Sequence, residues 1–175
     1  FTIARRRILW LLILVLANGL TTKVIAMNDQ ILREIVLLAA FIPLLIGTGG
    51  NVGAQSSTVV IRGLSTQKIK SLGAIQAVVR EGITGALLGV LMMLVVFPFA
   101  WWQGGGPLIA FAVGISLISI TTLAATTGAI LPLLFDRMRL DPALMSSPFI
   151  TTVTDIAGVF IYLSTAKWLL SSALI

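Results

Sequence analysis

The chain alternates long apolar runs with short polar segments, a pattern typical of a protein that crosses a membrane several times. A helix of about 20 apolar residues spans the hydrocarbon core of a bilayer. Only the polar segment 62–81 is long, and its spacing permits a short amphipathic helix at the membrane surface. We therefore predict an all-α integral membrane protein whose single domain has five transmembrane helices, at about 8–27, 35–61, 83–102, 108–135 and 148–170.

The amino-acid composition supports this class of protein and argues against several functional classes. Hydrophobic residues occupy 58% of the 175 positions and charged residues only 10%, a balance too apolar for the surface of a soluble domain. Cysteine and histidine are absent, so any metal ion must be held by oxygen. No nucleophile has a plausible base, so we expect neither an enzyme nor catalytic residues.

Positive charge is unevenly distributed between the predicted loops. Lys and Arg accumulate on the cytoplasmic side of membrane proteins. With the amino terminus inside, nine basic residues lie on the cytoplasmic side: Arg5, Arg6, Arg7, Arg62, Lys68, Lys70, Arg80, Arg137 and Arg139. Three lie on the other side: Lys23, Arg33 and Lys167. This predicts a multi-pass protein of the cell inner (plasma) membrane, with the amino terminus cytoplasmic and the carboxyl terminus outside. It also explains the net charge of +6 without nucleic-acid binding.

Asp155 is a lone carboxylate within the apolar run 148–170. An ionisable residue at bilayer depth is costly and marks a functional site by default. At helical spacing it shares one stripe with polar or small residues, namely Ser147, Thr151, Gly158, Tyr162 and Thr165. The alternative is a structural ion pair with Lys23, but Lys23 is predicted near the outer end of the first helix. We therefore predict that Asp155 serves a cation or a proton.

The second apolar run is interrupted by glycines and amides in the segment LIGTGGNVGAQSS. The glycines are Gly47, Gly49, Gly50 and Gly53. They would weaken or distort a helix, and the freed carbonyls would be available to a cation or its waters. Close helix packing through small residues explains the glycines equally well. The amides of Asn51 and Gln55 favour the polar pathway.

Two further patterns concern helix packing. Gly85 and Gly89 form a GxxxG pair among apolar neighbours, which predicts close contact with another helix. The fourth run carries several hydroxyl groups, for which we expect hydrogen bonds between helices, with cavity lining as the alternative. These residues are Ser116, Ser119, Thr122, Thr126 and Thr127.

Two strings carry a family resemblance: PLLIGTGGNVGAQSSTVVIRGLST, from Pro43 to Thr66, and DPALMSSPFITTVTDIAGVFIYL, from Asp141 to Leu163. Together they resemble the transmembrane domain of the MgtE family of magnesium channels and transporters. The resemblance implies a homodimer whose pore lies at the subunit interface, lined mainly by the second and fifth helices. It also implies that Asp155 binds Mg²⁺ in that pore. Ser147 stands where the best-known bacterial pattern has Asn, so no role is transferred to it.

The chemistry of Mg²⁺ is compatible with this implied site. The ion demands octahedral oxygen coordination and usually keeps several waters. Two Asp155 carboxylates across a twofold axis would therefore hold a largely hydrated ion. The pore-lining candidates beside Asp155 are Gly50, Asn51, Gly53, Gln55 and Thr151, the first four of which match the family's second-helix signature.

The remaining partners and alternatives follow from the same resemblance. It implies membrane lipid around the domain, and cytosolic N and CBS-type regulatory domains in a longer parent chain. Two other functional classes remain open at this point. A proton-coupled or exchange-type divalent cation carrier would use Asp155 as a protonatable site, and a non-transporting membrane assembly subunit would use the polar residues for packing.

Overall fold

A computed structural model describes residues 2–66 and 73–171, with side chains at 8, 11, 12, 14–66, 73–143 and 148–170. Every regular element in this part of the chain is helical, which confirms the all-α prediction. The helices are α1 (Thr2–Met27), α2 (Asp29–Glu34), α3 (Leu37–Ser65), α4 (Ala74–Ala100), α5 (Gly106–Arg137) and α6 (Pro142–Ser171). Lys68, Lys70 and the side chains of Arg5, Arg6, Arg7 and Ser147, used in the predictions above, lie outside the described set.

Three described stretches are long and apolar enough to cross a membrane: Val36–Ser65, Ala74–Arg137 and Pro148–Leu170. The middle stretch comprises α4 and α5, joined by a wide helical turn at Trp101–Gly105. Gly104 and Gly106 have φ values of 89° and 63°, which only glycine adopts readily, so the chain reverses there. A shorter apolar segment, Leu14–Met27, lies in α1.

The observed helices are longer than the predicted apolar runs. α3 continues to Ser65, and α4 begins at Ala74, well before the predicted start near Ile83. Residues 74–81 therefore belong to α4 and do not form a separate surface helix. Hydropathy locates the part of a helix that meets lipid, whereas backbone hydrogen bonding continues through good helix formers such as Gln76 and Arg80.

α5 lies at the centre of the bundle. Val113, Leu117, Ile120 and Ala124 of this helix are fully buried against neighbouring helices. Close contacts pair Gly85 with Ala125 and Gly114 with Met93, so α4 runs antiparallel to α5. α3 runs parallel to α5 and antiparallel to α6, and α1 packs mainly against α6.

A buried hydrogen bond joins the start of α3 to α6. The Tyr162 hydroxyl donates to the Leu38 carbonyl oxygen at 3.1 Å, and both residues are fully buried. Pro43 follows within α3 and has no N–H group, so the carbonyl of Ala39 lacks its helical donor. The Tyr162 hydrogen bond thus connects the two helices beside a locally weakened part of α3.

Candidate functional site

The glycine-rich part of α3 forms a closely packed seam with α6 and α5. A Cβ atom placed on Gly49 would lie 2.5 Å from Thr154 Cγ2, and one placed on Gly53 would lie 2.5 Å from Ile150 Cγ2. These distances are far below van der Waals contact, so only glycine allows the helices to approach this closely. α3 remains helical throughout the segment, and the expected distortion is therefore wrong. Neighbouring helices compensate for the low helix propensity of glycine.

Gly53 lies on the packed side of α3. Its carbonyl oxygen approaches Gly128 of α5 so closely that a Cβ atom on Gly128 would collide with it. The preceding turn of α5 places the Ala124 carbonyl oxygen 3.2 Å from a Cβ atom placed on Gly53. In this fold Gly53 therefore sets the distance between α3 and α5.

Asp155 lies at the edge of this seam. It is half-buried, one helical turn after the exposed residue Thr151. Gly50 of α3 faces Thr151, with 3.8 Å between a Cβ placed on the glycine and Thr151 Cγ2. The structure thus brings Gly50, Thr151 and Asp155 together on adjacent helices. This cluster contains a carboxylate and a hydroxyl, oxygen groups suited to a hydrated cation, whereas the Gly50 carbonyl stays within the regular helix α3 and is not freed.

The structural ion pair considered for Asp155 is not formed. Among the described residues, the only salt bridge joins Arg33 and Asp29 in α2, at 2.6 Å. Lys23 is exposed on α1 and makes no ion pair with any described residue. The charge of Asp155 is therefore uncompensated within this part of the chain.

Asn51 and Gln55 lie on the exposed side of α3. They are four residues apart and share one helical stripe with Gly47 and Thr58, all of them exposed. This stripe passes beside Gly50 and lies opposite Gly49 and Gly53, which contact α5, so it faces away from that helix. Exposed amides are unfavourable against hydrocarbon, so this side of α3 requires water or another protein surface.

The polar stripe predicted on the last helix does not act as one surface. Tyr162 is fully buried and its hydroxyl is occupied by Leu38, while Gly158 is buried against Ile120. Among its described residues, Thr151 is exposed, and Asp155 and Thr165 are half-buried. The predicted residues do share one side of α6. However, α5 covers Gly158 and α3 covers Tyr162.

Hydroxyl groups of α5 bond to their own helix, contrary to the prediction of hydrogen bonds between helices. Ser119 donates to Ile115, and Thr126 donates to Thr122, each to the carbonyl four residues earlier. Ser116 is fully buried and its hydroxyl has no partner among the described residues. The carbonyl three or four residues earlier lies within reach of a helical Ser or Thr side chain, so it can accept from the hydroxyl without a neighbouring helix.

The GxxxG prediction is confirmed. Gly85 and Gly89 are buried in α4 against Thr121, Ala125 and Ile118 of α5. Asp136 and Asp141 line a polar cavity of about 330 Å³ with Ser65 at the ends of α3 and α5, a cavity that the sequence does not predict. Asp141 also accepts a hydrogen bond from the Ala143 N–H at 2.9 Å at the start of α6. The sequence signal for this cavity is that Asp136 and Asp141 lie on both sides of a short connection between two predicted helices.

The fold and the uncompensated intramembrane carboxylate define a class, that of multi-pass helical membrane proteins. Residues 42–165 match the family model MgtE, described as a divalent cation transporter. The chain therefore belongs to the MgtE family. That description is of a transport protein and not of an enzyme, in agreement with the sequence prediction.

Three relatives have high coverage of this chain, and each bears the name magnesium transporter MgtE. The protein of Thermus thermophilus is 37% identical over 166 residues, which are 95% of this chain and 37% of the relative. The Bacillus subtilis protein is 34% identical over 95% of this chain and 37% of its own length. The Enterococcus faecalis protein is 34% identical over 94% and 36%. The chain thus spans little more than a third of these relatives.

Proposed function

We propose that this chain is the transmembrane pore domain of a magnesium channel or transporter of the inner (plasma) membrane. The observation that carries the proposal is Asp155, a half-buried carboxylate without an ion pair among the described residues, beside Gly50 and Thr151. A carboxylate in that setting is suited to a passing cation. The names of the three relatives supply the identity of the ion, Mg²⁺.

Five membrane crossings follow if the turn at Trp101–Gly105 reverses the chain at a membrane surface. α1, α3, α4, α5 and α6 contain 26, 29, 27, 32 and 30 residues, and each exceeds the length that a bilayer requires. The contacts between helices support the alternating directions that such a path needs. The distribution of Lys and Arg then places the amino terminus in the cytoplasm and the carboxyl terminus outside.

Two copies of the chain complete the proposed site. One carboxylate cannot replace the waters of Mg²⁺, but two Asp155 residues across a twofold axis would hold a largely hydrated ion. The exposed stripe with Asn51 and Gln55 would face the same aqueous path, with Gly50 and Thr151 between it and Asp155. Gly53 contributes by setting the helix spacing that positions this lining.

The relatives also suggest what lies outside this domain. They are longer than this chain, which supports a parent protein with additional domains. We propose that cytosolic N and CBS-type domains regulate the pore in that parent. The basic residues at the inner ends of α3, α4 and α5 would then lie close to them.

The test is Mg²⁺ flux into proteoliposomes containing the native chain or the variant Asp155→Asn. At about 5 Å, a carboxylate attracts a divalent ion by about 1.7 kcal/mol even at the dielectric constant of water, about 80. Removing one charge from each subunit should therefore lower the flux by about tenfold or more. The matched control is Glu34→Gln, which removes a charge from the exposed helix α2 and should leave the flux within about twofold.

Three results would count against the proposal. Equal flux in the native chain and Asp155→Asn would remove Asp155 from the pathway. Flux that requires an opposing proton gradient would favour the carrier, and absence of flux from a folded native dimer would favour an assembly subunit. Circular dichroism and elution volume of each variant show whether the fold is retained.

A further inference from the structure

Two shallow grooves lie side by side where α4 begins and α5 ends. The first, of about 280 Å³, runs between these helices and is lined by Ile75, Val79, Ile130, Leu134 and Arg137, among others. The second, of about 360 Å³, lies on the other side of the same ridge of Ile75 and Val79 and includes Arg80 and Ile83. Each groove therefore combines an apolar floor with one arginine.

The apolar residues of these grooves are uncovered. Ile75 is 80% exposed and Leu134 is 46% exposed, although both belong to a helix pair that packs closely elsewhere. The apolar surface continues along α4 through Ile83 and Leu87 towards the middle of the helix. In a membrane-inserted chain, a continuous apolar strip of this kind contacts acyl chains.

Both arginines have free positive charge. Neither Arg80 nor Arg137 makes an ion pair with a described residue, and neither groove is lined by a carboxylate. Asp136, next to Arg137 in sequence, lines the separate polar cavity beside Ser65 and Asp141. The grooves therefore offer two guanidinium groups without an internal counter-ion.

The positions of the arginines suit the headgroup region of a membrane. Arg137 belongs to the last turn of α5, and Arg80 lies about 9 Å along α4 from Ala74 by the helical rise. A long side chain at that depth extends its charge towards the interface and keeps its methylene groups on apolar surface. Guanidinium groups bind phosphate through paired charge-assisted hydrogen bonds.

We propose that these grooves form a binding site for an anionic phospholipid of the cytoplasmic leaflet. In each groove the arginine, Arg137 in the first and Arg80 in the second, binds headgroup phosphate, and an acyl chain lies against Ile75, Val79 and Leu134. Charge complementarity determines the class of lipid, because a cationic site without a carboxylate favours a net negative headgroup over a zwitterionic one. The side of the membrane rests on the orientation proposed above.

Native mass spectrometry of the detergent-solubilised chain tests this site. The chain is mixed with equal amounts of phosphatidylglycerol and phosphatidylcholine of the same acyl length, and the bound fraction of each is measured. We expect preferential retention of phosphatidylglycerol. Arg137→Gln and Arg80→Gln should each lower it about fivefold, the factor expected for one basic side chain near an anionic surface. Inorganic phosphate should not be retained, because it lacks the acyl chain.

Two further variants separate the site from general charge. Arg139→Gln removes the same charge from the exposed turn after α5, outside both grooves, and should retain phosphatidylglycerol like the native chain. Leu134→Ser should weaken both lipids, because it removes apolar contact and no charge. Equal retention of the two lipids by the native chain would overturn the proposal, as would an equal loss in Arg139→Gln and Arg137→Gln. Because no Mg²⁺ flux is measured, this result is independent of the test of Asp155.

Discussion

Glycines of the same helical bundle have opposite surroundings. A Cβ atom on Gly47 of α3 would meet no other atom within 4 Å. A Cβ atom on Gly128 of α5 would collide with the backbone of Gly53. A backbone obstacle cannot rotate away as a side chain can, so the helices themselves must separate. Gly128 is therefore a packing residue, whereas Gly47 has no packing contact within one copy of the chain.

We expect Gly128→Ala to destabilise the domain and Gly47→Ala to leave it unchanged or stabilise it. Overpacking costs about 1–3 kcal/mol, and the collision with backbone should place Gly128→Ala in the upper half of that range. Gly47→Ala gains helix propensity, by about 1 kcal/mol or less. The measurement is thermal unfolding in detergent, followed by the fluorescence of the four tryptophans. A higher midpoint for Gly128→Ala than for Gly47→Ala would contradict the packing described here.

At the residue scale, the sequence predicted which side chains are chemically unusual better than it predicted what surrounds each of them in the fold. Asp155 was identifiable because a carboxylate in an apolar run is unusual whatever surrounds it. Tyr162 was placed on the same stripe, but it is buried with its hydroxyl bonded to Leu38. Helical periodicity gives the angle of a residue around its own axis, and only tertiary packing decides which angles are covered.

The α4–α5 hairpin shows which features of a helix pair the sequence can predict. Its GxxxG contact and the break between the predicted third and fourth helices, at 103–107, were both predictable, because small residues and glycine runs have few other uses in a membrane helix. Helix ends were not, since hydropathy marks the lipid-facing part and α4 begins earlier, at Ala74. Partners of the α5 hydroxyls were also missed, because an intrahelical carbonyl and a neighbouring helix are equally compatible with the sequence.

Substitutions at Gly104 should follow backbone preference and not size. Its φ of 89° lies in the left-handed region, and a Cβ atom there would meet nothing within 4 Å. We therefore expect the native chain to be the most stable, followed by Gly104→Asn and then Gly104→Ala, with Ala costing about 1–2 kcal/mol. Asn is tolerated because its side chain bonds locally in this conformation. Unfolding midpoints in increasing denaturant give the order, and equal midpoints for Asn and Ala would show that the turn does not require this φ.

The whole molecule has two unlike outer surfaces. α4 exposes Leu87, Leu94 and Val95, as a surface in contact with lipid would. α3 instead exposes the polar side chains of Asn51, Gln55 and Thr58 in the middle of the helix. A monomer in lipid would leave these polar groups against hydrocarbon, whereas a second copy packed on that side would enclose them with water. The asymmetry favours the dimer of the proposed function.

This arrangement is testable by cross-linking because the chain contains no cysteine. Single cysteines at Asn51, Gln55 and Thr58, one per variant, place a thiol on the polar side of α3. Leu94→Cys places one on the apolar side of α4, where Leu94 is also exposed. Residues close to a twofold axis meet their own copies, and a disulfide forms when their Cα atoms lie about 4.4–6.8 Å apart.

We expect at least one α3 variant to give a covalent dimer on mild oxidation in detergent, and Leu94→Cys to remain a monomer on a denaturing gel. The yield should not fall when the protein is diluted tenfold at constant detergent, because a stable dimer is already assembled before oxidation. Cross-linking by Leu94→Cys alone would place the dimer contact on α4 and exclude a shared Asp155 site. A concentration-dependent yield at all four positions would indicate collisions between monomers, and the mass of the native chain in detergent would then correspond to one copy.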